Sequence, residues 1–429
     1  MNKKILSCLV AGAVMSAPAM AISDPEFFGY AKWGKIFTND DTTNDGTGEL
    51  KDITRTKGGI GNFRLGNELK WWEAGLKGDV YESGDTNWDV TWMIGNGGGD
   101  WSNIMTMQMY TSATGVLESV PEAKVWAGKR YYRKHEAYLI DVKYWDTADT
   151  GLGIEDVDVG FGKFHAAWFM PDAKWGQPIE KEDGSLDYKA GAFHNLDFRV
   201  SDIRFAKGAS LTLGVNYATL QNRDMSPSEF NISDDGLMLS AVYAQTWSKG
   251  VNRLAVQYGT DGLAGGLMNG IGTESQYRIG LEHEGSSIRV FNEGEMRLTP
   301  QIDMMYAIAY QDVDLDNGNG FEWASASVMP QYAWNKYHTT AFQVGYDFAK
   351  DQTGIGKNET FKATISQQIQ AGEGVWARPA IRVFASYIDQ TQDWAPGGNE
   401  WGAIPGKAAF AESFAKDEVV FGANFEAWW

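Results

Sequence analysis

The chain has little cysteine, little proline and, beyond its first residues, no long apolar run; each shortage closes off a class of function. One of its 429 residues is cysteine, Cys8, and it sits in a leader-like N-terminus. Disulfide frameworks, zinc–thiolate centres and thiol catalysis are thereby excluded for the rest of the chain. The segment "ILSC" leaves almost no apolar run ahead of the thiol, so it is not read as a lipid-attachment site. Basic residues are scarce too, with 37 Lys and Arg against 56 Asp and Glu and a formal net charge of −19. That balance argues against nucleic acid as a partner, because phosphate backbones are held by clustered Lys and Arg. After the N-terminus nothing approaches the run of about 18 apolar residues that a membrane helix needs, and mean hydropathy is −0.36. A helical membrane protein is excluded. A transmembrane β-barrel is not, since only every second residue of its strands must be apolar.

What is present begins with Lys3 and Lys4, an apolar stretch from Ile5 to Met15, and the small-x-small triplet Ala19, Met20, Ala21. This is the pattern of a secretory signal peptide, residues 1–21, cut after Ala21. Residues 22–429 are then one exported domain, held together without disulfides. That domain is rich in glycine and aromatics, with 50 Gly, 18 Trp, 18 Tyr and 21 Phe in the whole chain against 11 Pro.

Period two recurs from end to end. In 210–218, Leu211, Leu213, Val215 and Tyr217 share one face and Ser210, Thr212, Gly214 and Asn216 the other. In 253–259, Leu254, Val256 and Tyr258 oppose Arg253, Ala255, Gln257 and Gly259. In 341–347, Phe342, Val344 and Tyr346 oppose Gln343, Gly345 and Asp347. A soluble sandwich alternates in the same way. Two details favour an inside-out barrel: apolar faces often finish on an aromatic, as in an interfacial girdle, and the pattern runs on without a linker. At about 10 residues per spanning strand plus turns and loops, the length suits about 16 to 18 strands. The stretches 39–59, 95–103, 170–187 and 389–406 are long, polar and glycine-rich, and read as external loops.

Three strands mix an aromatic with charge on the face predicted to be inner. The first, 27–37, sets Tyr30 and Lys32 opposite Phe27, Ala31 and Trp33. A second, 376–387, sets Trp376, Arg378 and Arg382 opposite Pro379, Ile381, Val383 and Ala385. The last sets Asn424, Glu426 and Trp428 opposite Phe421, Phe425 and Trp429, so the two closing tryptophans point in opposite directions. An aromatic plane beside charged hydrogen-bonding groups suits a sugar, whose C–H face stacks while its hydroxyls are bonded; the same aromatics serve equally well to plug or buttress a barrel. Catalytic carboxylate pairs are not evident: Glu155 with Asp158, and Asp312 with Asp314 and Asp316, read as loop or strand-end surface. The segment 312–322 fails as an EF-hand because Gly318 is one place late and Glu322 one place early, and reads as a hairpin. "GNGGGD" (95–100) fails the dinucleotide fingerprint. The five histidines, 135, 165, 194, 283 and 338, show no metal spacing.

The segments "FFGYAKWG", "FRLGNE" (63–68), "WAGKRYYRKHEAYLIDVKYWD" (126–146), "VDVGFGKF" (157–164), "WARPAIRVFASY" and "FGANFEAWW" together resemble the maltoporin family of outer-membrane sugar porins. The resemblance implies an all-β fold, an antiparallel transmembrane barrel of about 18 strands with an inward-folded constriction loop, assembled as a homotrimer in a Gram-negative outer membrane. It implies sugar diffusion along an aromatic slide, here Trp101 lent to a neighbouring subunit, then Trp72, Tyr30, Trp428 and Trp376. The ionic track would be Lys32, Arg64, Lys134, Glu136, Asp141 and Asp146. Departures from the family pattern are Val251 at the last slide position, Lys143 where a tyrosine narrows the constriction, lysines at 32 and 134 in place of arginines, and Leu69 in place of a disulfide cysteine. They put maltodextrin preference in doubt and leave the transport class intact.

The expectation is a sugar-selective porin with no catalysis, cofactor or energy coupling, and with no metal-ligating residues assigned. Its partners would be oligosaccharide, lipid bilayer, two further copies of itself, the barrel-assembly machinery that receives the terminal aromatic, and phage at the external loops. The alternatives are a general diffusion porin and a secreted β-rich carbohydrate-active enzyme.

Overall fold

The computed structural model describes residues 23–38, 63–67, 70–97, 104–170, 172–180, 186–220, 233, 235–264, 284–316, 318, 320–354, 356–392 and 414–429. Residues 1–21, the stretch 39–59, Leu69 and Trp101 lie outside the described residues.

The alternating stretches form strands that pair antiparallel, each with its neighbours in sequence, into a closed 18-strand barrel. In chain order the wall strands are Ser23–Thr38, Trp71–Ser83, Thr86–Gly97, Met105–Thr114, Lys124–Arg130, Asp149–Asp158, Lys163–Phe169, Leu186–Ala206, Ala209–Leu220, Asp235–Trp247, Gly250–Asp261, Gly285–Arg297, Ile302–Leu315, Phe321–Ala333, His338–Asp351, Lys357–Gln370, Ala380–Gln392 and Phe414–Trp428. Closure is made by the first strand, in which Tyr30 lies opposite Glu73 of the second and Trp428 of the last.

The alternation is inside out. Leu213, Val215, Leu254, Val256, Tyr258, Phe342 and Tyr346 are exposed, while Asn216, Gln257, Gln343 and Asp347 on the opposite faces are buried. A soluble sandwich would reverse this. The outer face must be apolar because lysine or arginine turned to lipid at the bilayer midplane costs about 2–4 kcal/mol. Trp33, Phe37, Phe421, Phe425 and Trp429 continue that outer face across the seam where the barrel closes.

Two stretches differ from the sequence reading. Residues 170–187 are not wholly irregular: Asp172–Glu180 pairs with the start of Leu186–Ala206, a hairpin that prolongs the wall strand. The strand read from 376 begins at Ala380, and Trp376 sits in the turn before it. The 312–322 segment is the hairpin expected, with Asp312 opposite Glu322 and the left-handed bend at Gly318.

Part of the inner wall is apolar, against the simple rule of a polar lumen. Residues 131–148 leave the wall after Arg130 and cross inside the barrel, forming a small hairpin, His135–Ala137 with Val142–Trp145, joined by a 3-10 turn at Tyr138–Ile140. Leu139, Ile140, Val142, Tyr144 and Trp145 pack against Met238, Phe291 and Trp323 of the wall. The Tyr144 and Phe291 rings stack at 4.7 Å, and the Arg199 guanidinium lies 3.9 Å over Trp145. Trp145 Nε1 donates to Asn216 Oδ1 at 2.9 Å, while Arg199 is paired with Asp197. Gly214 makes this approach possible, because a Cβ there would come within 2.3 Å of the Trp145 ring. The constriction loop is thus a second core inside the barrel.

Candidate functional site: the lumen at the constriction

Glu426 organises the narrow part of the lumen. The last strand turns it inward between Asn424 and Trp428, and it is 2 % exposed. Its Oε1 accepts from the Tyr30 hydroxyl at 2.9 Å and the Tyr138 hydroxyl at 3.1 Å. Its Oε2 accepts from Arg378 Nε at 2.7 Å and Arg382 Nη2 at 2.9 Å. A buried carboxylate is tolerable only when its oxygens are filled in this way. Four donors from four elements, the first strand, the constriction loop, the turn at 376–379 and the strand Ala380–Gln392, converge on one group.

Around that knot stand the aromatics. Tyr30 is half-buried and register-paired with Trp428. Arg378 lies 4.5 Å over the Trp428 ring, and Trp428 is 6.3 Å from Trp376. Trp376 is held at its other side by the Tyr138 ring, edge to face at 4.6 Å, and its Nε1 donates to Glu295 Oε2 at 2.8 Å. Cation–π contacts of this kind contribute about 0.5–2 kcal/mol each. Val251 is buried directly opposite Glu295 across two strands, beside this end of the row.

The charged side is built by the constriction loop. Arg64 Nη1 donates to Glu136 Oε1 at 2.8 Å and lies 3.2 Å from Asp141 Oδ1, with its guanidinium 4.1 Å over the Tyr138 ring. Lys143 sits opposite Glu136 in the register of the small hairpin, so the expected aromatic is replaced by a cation on the strand facing a carboxylate. Burial raises the Glu136 carboxyl, but Arg64, then Lys134 and Lys143, outweigh it and hold the group below its ordinary value. Asp146 goes the other way: burial pushes it up despite Lys143 and Lys134, and it accepts from the Ala148 amide at 3.2 Å. Lys32 is buried and donates to the Arg64 carbonyl at 3.2 Å. Lys134 is exposed and lies 4.7 Å over the Tyr131 ring.

Of the sequence-derived candidates, the structure brings Tyr30, Trp376, Trp428, Lys32, Arg64, Glu136 and Asp141 together, with Lys134, Lys143 and Asp146 along the same loop. Trp72 is placed differently. It pairs with Ala31 and shares its face with outward Leu76, whereas Trp71 pairs with Lys32 and stands with Glu73 inside. The inner aromatic of this strand is Trp71, its Nε1 donating to Glu73 Oε1 at 2.9 Å, with the Tyr131 hydroxyl on the same oxygen. The register separates the two tryptophans, since Trp71 lies opposite inward Lys32 and Trp72 opposite Ala31.

Tyr138 was missed. It lies in a loop where period two has no meaning, and its contacts with Glu426, Trp376 and Arg64 reveal it. Glu155, read as surface, is 5 % exposed and clamped by Arg130 at 2.6 Å and Arg133 at 3.3 Å, which makes it an anchor of the constriction loop. Among the described residues no cluster of His, Cys, Asp and Glu could hold a metal ion.

Three solved structures give a measure of likeness. Pseudomonas aeruginosa OccK1 (OpdK) is 11% identical with a TM-score of 0.47, over 95% of this chain and 100% of that one. The anion-selective porin from Comamonas acidovorans is 10% identical with a TM-score of 0.49, over 95% and 99%. OmpT of Vibrio cholerae, in its trimer form, is 12% identical with a TM-score of 0.41, over 94% and 99%. The fold of this chain rests on its own strand pairing rather than on these. The model of the LamB porin family matches residues 26–429. A closed antiparallel barrel with an apolar outer face, narrowed by an inward loop and matched over nearly its whole length, belongs to the LamB porin family of outer-membrane channels.

Proposed function

We propose that this channel is selective for oligosaccharides and conducts them passively along the aromatic row Trp71, Tyr30, Trp428 and Trp376, with Tyr138 and Glu295 holding the last of these in place. The observation that carries the reading is the Glu426 knot: one carboxylate fixes two arginines and two tyrosines around a pair of tryptophans, so stacking planes and hydrogen-bonding groups face the same passage. A pyranose sliding past exchanges one stacking contact for the next while its hydroxyls trade partners along the more accessible Arg64, Glu136 and Asp141. Each contact must be weak for the sugar to leave, because conduction fails when one site holds too tightly. Residues 1–21 serve as a cleaved export signal, Trp101 belongs to a neighbouring subunit's slide in a homotrimer, and the terminal Trp429 addresses the assembly machinery.

Trp376→Ala and Trp428→Ala test the slide. Both are expected to weaken block of ion current by maltodextrins in a planar bilayer while leaving the channel open. Unchanged block in both folded variants would assign the aromatics a buttressing role and favour a general diffusion porin.

A further inference from the structure

A second segment besides the constriction loop lies inside the barrel, and its attachment is unusual. Residues 63–67 run against the inner wall with Phe63 1 %, Leu65 7 % and Asn67 4 % exposed. The Phe63 ring occupies the space above Gly345, where a Cβ would come within 2.2 Å of it. The Leu65 amide donates to Gln343 Oε1 at 2.7 Å. The Arg64 amide and Gln343 Nε2 both donate to the Leu139 carbonyl of the constriction loop, at 3.3 and 3.0 Å. Two of the segment's carbonyls are held by ammonium groups from two different wall strands. Lys32 Nζ holds the Arg64 carbonyl at 3.2 Å; Lys362 Nζ, on the strand Lys357–Gln370, holds the Phe63 carbonyl at 3.0 Å and also donates to Asn67 Oδ1.

Lys362 is 2 % exposed. Desolvating an ammonium is costly unless its donors are filled, and two of the acceptors that fill those of Lys362 are supplied by the 63–67 segment. Phe63 and Leu65 seat the stretch on the apolar packing of the inner wall, and the charge-assisted bonds from Lys362 and Lys32 fix the backbone between them. That backbone sets where the Arg64 side chain stands, between Glu136, Asp141 and the Tyr138 ring.

We infer that Lys362 is a positioning residue for the constriction: by clamping the Phe63 carbonyl and Asn67 it holds residues 63–67 inside the lumen and presents Arg64 to the ionic track. The clamp controls the bore for any solute, so it stands independently of sugar selectivity.

The test measures single-channel conductance and ion selectivity of Lys362→Met, Lys362→Arg and Arg64→Ala, with the double variant Lys362→Met/Arg64→Ala. Folding is checked first by the heat-dependent mobility shift of the intact barrel. The clamp predicts a rise in conductance and a shift of reversal potential in Lys362→Met, restoration of both by Lys362→Arg, and a double variant that shifts reversal potential no further than Arg64→Ala alone. Selectivity effects that add fully in the double variant, or a folded Lys362→Met with wild-type conductance and reversal potential, would overturn it. If Lys362→Met fails to fold, Asn67→Ala removes one acceptor of the clamp and is expected to raise conductance in the same direction; wild-type conductance there would overturn the clamp equally.

Discussion

Glu426→Gln removes one charge from the lumen and keeps the shape of the side chain. In the native channel that carboxylate is 2 % exposed and receives four donors, two of them guanidiniums that are themselves 5% and 6% exposed. The glutamine can offer one acceptor oxygen, but its amide nitrogen would face either the two arginines or the two tyrosine hydroxyls. Removing one member of a buried ion pair leaves its partner uncompensated and typically costs about 3–5 kcal/mol; here two partners are stranded side by side. The loss of stability is therefore expected near or above the upper end of that range, read from denaturant titration of the purified channel. The exposed rim pair Lys357–Glu359 supplies the comparison, since Lys357→Met is expected to change stability by only about 0–1 kcal/mol. In bilayers the lumen of Glu426→Gln has lost a negative charge, so its reversal potential should move toward anions, and sugar block should weaken as Arg378 moves off the Trp428 ring. A stability loss no larger than that of the rim variant, with wild-type selectivity and block, would refute the view that Glu426 organises the constriction.

Two other consequences follow from the constriction loop. Gly214→Val should push Trp145 off the wall, since even a Cβ at that position lies 2.3 Å from the ring; the expected result is a folded barrel with higher and noisier conductance. His135 stacks on Trp145 at 5.3 Å, and burial, then Arg199, Arg253 and Arg133, push its pKa down from 6.5 to about 3. Because its folded value is depressed, the stability it contributes is fully present above 6.5 and is lost as pH falls toward 3; channel noise should rise over that window, and His135→Gln should remove this component.

The barrel was legible because its signal is local. Each run such as Leu254, Val256, Tyr258 against Gln257 states its own two faces, and strand after strand repeats the statement. The same rule placed Tyr30 and Trp428 inside and separated Trp428 from Trp429. It failed where the chain leaves the wall. Phe291 and Trp323 are inward and apolar because a loop covers them, and no alternation can announce a cover supplied from elsewhere in the chain. Trp376 was placed in a strand because its parity suits one, yet it stands in a turn and reaches the lumen through Tyr138 and Glu295. Family resemblance points to Trp72, and only the register, with Lys32 opposite Trp71, sets Trp71 on the inner face. Alternation says nothing of what Lys362 holds, because the Phe63 carbonyl it binds lies almost three hundred residues away in sequence.

The most direct test of a sugar slide is titration of the wild-type single-channel current with a ladder of maltodextrins of increasing length, beside acidic oligosaccharides of matched size. Repeated weak stacking predicts reversible block that tightens with each added sugar until the aromatic row is filled and then levels off. Block that is absent, or that depends only on molecular size and not on the kind of sugar, would contradict it.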